Sequence, residues 1–227
     1  TLVSDALMFA PALMPPACLC RGYRNTSYPG SANAPQRSTP SCGRCDEEKL
    51  ERKNYRLTTG SGLRDRRGMQ RSLSTLEAGI GEIRRSPADV GTVELIVRRP
   101  AENERETLSE AHLDTTAGLV GDGWLTGDGD VSRQITVMNA RAVALLAGSR
   151  DRWPLAGDQL YVDLDLSVGN MPPGTRVEIG AAILEVSGEP HRGCKKFAAR
   201  YELDALRFVH SKTGDALNLS TVNARDV

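Results

Sequence analysis

The chain has 227 residues, and its 29 basic residues are balanced by 29 acidic ones. A neutral chain gives no electrostatic reason to expect nucleic acid as a partner. No apolar run approaches the roughly 18 residues that a membrane-spanning helix needs, so no membrane partner is expected. The hydrophobic fraction of 39% predicts that part of the chain lies outside a packed core, because little apolar surface is available there to offset chain entropy.

The N-terminal third lacks any sustained period of 2 or 3.6 and is interrupted by prolines, a composition typical of a low-complexity, disordered extension. We expect this extension over residues 1–68, a short helical lead-in over 69–90, and the folded domain over 91–227. Met69 is a candidate first residue of the functional protein. An apolar run at residues 6–10 leaves a signal peptide as an alternative. The CxC and CxxC spacings leave a zinc site open, with ligands Cys18, Cys20, Cys42 and Cys45.

The first regular elements follow this extension. Apolar residues at helical spacing over 73–83 predict a short amphipathic helix, which Ser86-Pro87 ends. Alternation over 93–97 predicts a strand, and a loop rich in glycine and aspartate follows over 112–130. A buried strand is expected over 134–138. Asn139 is expected to cap the next helix, and Gly148 to end it.

The C-terminal half contains mostly strand patterns. Alternating residues over 160–166 predict a half-buried strand, and residues 177–186 predict one further strand with a change of phase near its end. A four-residue apolar repeat over 197–209 predicts a helix. Short strands with few, short helices indicate a mainly β protein, built as a barrel or sandwich.

Cys194 is the only cysteine after residue 45. A lone cysteine favours a reducing, cytoplasmic setting over a disulfide framework. His191 precedes it closely and Lys195 follows it, at a predicted strand-to-helix junction. Cationic neighbours and a helix N-terminus lower a thiol pKa and favour the reactive thiolate. A buried structural thiol is the alternative, because free cysteine is often fully buried.

A set of short motifs runs along the C-terminal two thirds of the chain, at residues 76–79, 91–94, 118–122, 134–139, 155–160, 163–167, 170–175 and 190–197. In these motifs the chain resembles the MOSC family, the domain named after the C-terminus of molybdenum cofactor sulfurase. The motifs follow the order and spacing of its compact, single-domain bacterial members.

The resemblance implies a barrel-like β fold with short helices that binds the molybdenum cofactor, molybdopterin. It implies an oxidoreductase that reduces N-hydroxylated small molecules with electrons from an external donor protein. The family is also associated with pyridoxal phosphate. Cys194 would ligate the metal and act in catalysis with His191. A thiolate is a soft ligand that suits such a metal, and cations suit the cofactor's phosphate. The candidate cofactor-binding residues are Arg192, Gly193, Lys195, Lys196, Arg200, Asp122 and Asn139, although turn chemistry also explains Asp122 and a helix cap explains Asn139.

Three positions depart from the family pattern. Gly123 replaces a basic residue, Ser220-Thr221 replaces an arginine–glycine pair, and Glu202 stands where glycine is common. We therefore expect weakened anion binding, and we also expect that the domain lacks its last strand. Two alternatives to the reductase stay open: a sulfur-carrier or cofactor-binding module with Cys194 as a persulfide, and an inactive fragment.

Overall fold

The computed structural model describes residues 2–3, 10–11, 71–127, 129–191 and 195–227. Apart from two short strands, the predicted extension over 1–68 and its four cysteines lie outside the described residues. None of the helices in the described part of the chain is long and apolar enough to cross a membrane.

The described residues form twelve strands, five α-helices and two 3₁₀ segments. The strands are β1 (Leu2–Val3), β2 (Ala10–Pro11), β3 (Thr92–Arg98), β4 (Glu106–Leu108), β5 (Glu110–Ala111), β6 (Leu113–Asp114), β7 (Gly118–Leu119), β8 (Ile135–Asn139), β9 (Leu160–Asp163), β10 (Arg176–Ile179), β11 (Ala182–Val186) and β12 (Val222–Asp226). The α-helices are α1 (Leu73–Ala78), α2 (Ile80–Ile83), α3 (Ala140–Ala147), α4 (Lys195–Val209) and α5 (Lys212–Ala216), and the 3₁₀ segments are Val131–Arg133 and Arg150–Ala156.

The principal sheet has the strand order β2-β10-β11-β12-β8-β9-β3-β4. Neighbouring strands are antiparallel except β8 and β9, which are parallel. Seven of these strands form a curled half-barrel, and two small sheets pair β1 with β5 and β6 with β7. The expectation of a mainly β protein with short helices is confirmed.

Two hydrophobic clusters cover the two faces of the central strands. Ile96 and Leu160 belong to the cluster inside the curled sheet, whereas Val97 and Tyr161 belong to the cluster beneath the helices. Because successive side chains of a strand point to opposite faces, β3 and β9 are buried on both sides. The prediction of a half-buried strand over 160–166 is therefore wrong at Tyr161, which is completely buried and donates its hydroxyl hydrogen bond to Trp153 O at 2.9 Å.

Several local predictions are confirmed. Asn139 caps α3 by accepting a hydrogen bond from Ala142 N at 2.9 Å, and Gly148 ends that helix with φ 76°. The predicted single strand over 177–186 is instead a hairpin of β10 and β11, because the chain reverses at Gly180, whose φ is 59°.

Helix α4 bends at Glu202, whose φ and ψ are 74° and 168°. That region of backbone conformation is essentially restricted to glycine, so the backbone at this glutamate is strained. The bend separates the first half of α4, which carries Lys196 and Arg200, from the second half, which packs Phe208 into the core.

Candidate functional site

A cavity of about 410 Å³ lies beside the first half of α4, within the size range of small-molecule sites. It receives side chains from the connection between β3 and β4, the loop after β7, the end of the Arg150–Ala156 segment, and α4. In the described part of the chain, four cationic side chains line it: Arg99, Arg105, Lys196 and Arg200. We call Arg99, Arg105 and Arg200 the arginine cluster.

The three guanidinium groups of the arginine cluster converge on Gly157. Arg99 Nη1 donates to Gly157 O at 2.8 Å. A Cβ atom built on Gly157 would lie 3.6 Å from Arg200 Nη1 and 3.9 Å from Arg105 Nη2. Gly157 has φ 100°, a conformation that suits glycine. The turn thus leaves the space above Gly157 open to the arginine side chains.

Arg99 is held by Asp122. Its Nη2 and Nε atoms donate to the two carboxylate oxygens at 2.9 and 3.0 Å, and its backbone N–H donates to the same carboxylate at 2.9 Å. The Asp122 carboxylate also accepts from Trp124 N at 3.0 Å, as in an Asx turn. The turn explanation of Asp122 is therefore confirmed, and this cavity-lining carboxylate is committed to neutralising Arg99.

Arg105 and Arg200 have no carboxylate partner among the described residues. Arg200 Nη1 donates to Leu155 O at 3.0 Å, and Arg105 Nη1 donates to the adjacent Glu104 O. The Arg105 Nε atom is buried without a partner. Burial lowers the pKa of Arg105, and the charges of Arg200 and Arg99 lower it further. The positive charges of these arginine side chains repel one another, and an anion bound in the cavity would offset that repulsion.

Lys196 and His191 lie at the exposed side of this cavity. Lys196 Nζ forms an ion pair with Glu102 at 2.5 Å, and that hydrogen bond lowers the pKa of Glu102. Lys195 is also exposed but does not line the cavity. Of the two adjacent lysines, the structure brings only Lys196 to the site.

Asp158 is a buried acid in the cavity wall, only 3% exposed. Thr221 Oγ1 donates a hydrogen bond to its carboxyl group from 63 residues away, so this side chain connects two distant parts of the chain. Burial raises the pKa of Asp158, and the nearby charge of His191 and the bond from Thr221 only partly oppose this effect. The group therefore retains its proton to higher pH than an exposed aspartate does.

Asn139 does not line the cavity. Its Oδ1 caps α3, while its Nδ2 donates to Ser86 Oγ and Leu164 O, each at 2.8 Å. Both polar atoms of the Asn139 side chain therefore form hydrogen bonds within the protein. Arg192, Gly193 and Cys194 lie outside the described residues.

Sequence reasoning missed Arg99, Arg105 and the buried state of Asp158. Arg99 directly follows β3, and basic residues at a strand end are a weak signal for a site. No local pattern links it to α4, which begins almost a hundred residues later in the chain. Among the described residues, no group of three or more His, Cys, Asp or Glu side chains could hold a metal ion.

No protein-family profile matches the chain, and no curated protein matches it either. One similar solved structure is described as a hypothetical protein, with 17% identity, 59% of each chain covered and a TM-score of 0.43. This chain thus spans less than two thirds of that protein, and a likeness at this level carries no argument about function.

Proposed function

We propose that this protein is a molybdenum-cofactor-binding member of the MOSC family that reduces N-hydroxylated small molecules. Electrons would come from an external donor protein. The observation that carries the proposal is the convergence of Arg105 and Arg200 above Gly157, without carboxylate partners among the described residues, in a cavity of small-molecule size.

The donor set fits the cofactor's anionic phosphate. A guanidinium presents a planar fork of N–H donors that matches phosphate geometry, and it keeps its charge when partly buried. Arg105 and Arg200 would bind the phosphate, because Arg99 is already neutralised by Asp122. The open face of Gly157 allows a ligand to approach the backbone closely. These residues compensate for the cations that the family pattern carries elsewhere.

The position of Cys194 in the chain supports the same proposal. His191 and Lys196 both line the cavity, and Cys194 lies between them, two residues before Lys196. In this proposal Cys194, two positions before Lys196 in the sequence, is the metal ligand. Lys196 and the arginines would favour its thiolate form.

The cofactor, when bound, would supply two-electron chemistry at a soft metal that a thiolate suits as ligand. Reduction of an N–OH group to N–H and water takes up two electrons and two protons. Asp158 lies in the cavity wall, and burial raises the pKa of its carboxyl group, so this group is the candidate proton donor to a bound substrate. His191 lines the exposed side of the same cavity.

Metal analysis of protein made in a cofactor-competent host tests the proposal. The native chain should contain molybdenum and reduce an N-hydroxylated compound with an artificial electron donor. Cys194→Ala should lose the metal. Arg105→Gln combined with Arg200→Gln should lower metal content strongly, whereas Arg207→Gln, at an exposed arginine outside the cavity, should leave it unchanged.

Other outcomes would overturn the reductase proposal. Cyanide-releasable sulfur without molybdenum would favour the sulfur-carrier module, with Cys194 as a persulfide. A folded native chain with neither molybdenum nor releasable sulfur would leave the inactive fragment.

A further inference from the structure

A second cavity, of about 340 Å³, adjoins the first. The two share His191 and Ser220 as lining residues. The second cavity lies between the segment after β11, the region around α5, and the start of β12. Its apolar wall consists of Val168, Met171, Pro173, Val186, Val209 and Val222. This volume and lining suit a small molecule with an apolar body.

Asn223 contributes a buried acceptor without a donor to this cavity. The residue is 2% exposed, and its Nδ2 donates to Glu189 O at 3.0 Å. That bond fixes the amide orientation, because the reversed amide would place two acceptor oxygens together. The Oδ1 atom is buried and has no partner. Buried polar groups are almost always hydrogen-bonded, so this unpaired oxygen is an unusual polar atom enclosed in the wall of the cavity.

The charge of the second cavity is opposite to that of the first. Its charged lining residues, among those described, are Glu189, Asp215 and His191. Both acids are exposed, and neither carboxylate has an ion-pair partner among the described residues. Two carboxylates near one mouth favour a cationic ligand.

We propose that the second cavity binds a small organic cation, an ammonium group with N–H donors on an apolar body. The carboxylates of Asp215 and Glu189 would accept hydrogen bonds from the ammonium group and offset its positive charge. The apolar body would contact the valine-rich wall. This inference does not rest on the proposed function. If that function holds, the shared residues His191 and Ser220 make this cavity the place for a cationic substrate.

Calorimetric titration of the full chain, without added cofactor, tests the proposal. The probes are benzylammonium, the neutral benzyl alcohol and the anionic benzoate. Benzylammonium should bind at least about tenfold more tightly than benzyl alcohol, because only the cation gains from the two carboxylates. Its affinity should fall as salt is added. Benzoate should bind most weakly.

Two variants assign the binding to this cavity. Asp215→Asn combined with Glu189→Gln should weaken benzylammonium binding about tenfold, and this exposed pair should not disturb folding. Glu77→Gln, an exposed carboxylate on α1, is the matched control and should leave affinity unchanged.

The proposal is overturned if native protein does not bind benzylammonium at millimolar concentration, if benzyl alcohol binds equally well, or if the double variant retains full affinity. Molybdenum content in the same variants separates the two proposals. Failure here with normal metal content leaves the proposed function intact, whereas cation binding by a metal-free chain supports this inference alone.

Discussion

The two adjoining cavities share two lining residues but differ in charge and in how that charge is held. In the first cavity, Arg99 is locked to a buried carboxylate, and two more arginines converge beside it. In the second, the carboxylates of Glu189 and Asp215 are exposed, and the buried group without a partner is a neutral amide oxygen. The difference shows that the connections between strands of one sheet can form two neighbouring cavities whose lining side chains carry opposite charges.

The largest expected effect tests whether the first cavity depends on its buried ion pair. Asp122→Ala removes a carboxylate whose side chain is 1% exposed and leaves Arg99 without its counter-charge. Breaking such a pair should lower the free energy of unfolding by about 3 kcal/mol, measured by urea denaturation. Asp215→Ala, in the second cavity, should change it by less than about 0.5 kcal/mol. Equal losses in the two variants would contradict the comparison.

The pH dependence of stability tests the buried acid of the first cavity. Burial raises the pKa of Asp158 above its ordinary value of 3.8. Above pH 3.8 the unfolded carboxyl ionises while the folded one keeps its proton, so stability falls as pH rises toward the folded-state pKa.

The variant Asp158→Asn has no ionisable side chain at this position in the folded or the unfolded state. Its stability should therefore not fall in this way as the pH rises. The free energy of unfolding of the variant relative to native protein should therefore increase with pH, by up to about 1.4 kcal/mol per pH unit in this window. Denaturation at several pH values measures it, with Glu77→Gln as the exposed control. A constant difference across the window would show that the folded-state pKa is not raised.

The bend in α4 can be separated from the charge of the cavities. Glu202→Gly relieves a backbone conformation that only glycine adopts readily and should raise the free energy of unfolding by about 1 kcal/mol. Thermal denaturation measures the gain. Ligand binding in both cavities should be unchanged. A lower free energy of unfolding in the variant would show that the backbone at Glu202 is not strained.

The smallest expected effect concerns the repulsion within the arginine cluster. Arg105→Leu removes one of three converging charges and a buried nitrogen without a partner. Because Arg105 is partly solvated, the gain in stability should be only about 0.5 kcal/mol. Inorganic phosphate should raise the melting temperature of native protein more than that of the variant. Arg207→Leu, at an exposed arginine outside both cavities, is the control. An equal phosphate response would argue against anion binding here.

Much of the local structure was predictable because it depends on residues close in the chain. Alternation over 93–97 predicted β3, and the asparagine and glycine that bound α3 act as cap and stop. The helical repeat over 197–209 predicted α4 and, with it, the candidate cations Lys196 and Arg200 that line the first cavity.

The charge of each cavity was not predictable in this way. Arg99 and Arg105 meet Arg200 because the connection after β3 packs against α4, and Asp158 is buried because Thr221 reaches it from the far end of the chain. Tyr161 is buried because helices cover the face of β9 that alternation marked as polar. Periodicity and capping act over a few residues, whereas burial and ion pairing depend on which distant elements meet. The sequence therefore indicated the strands, the helix and its cations, and long-range packing established the two opposed cavities.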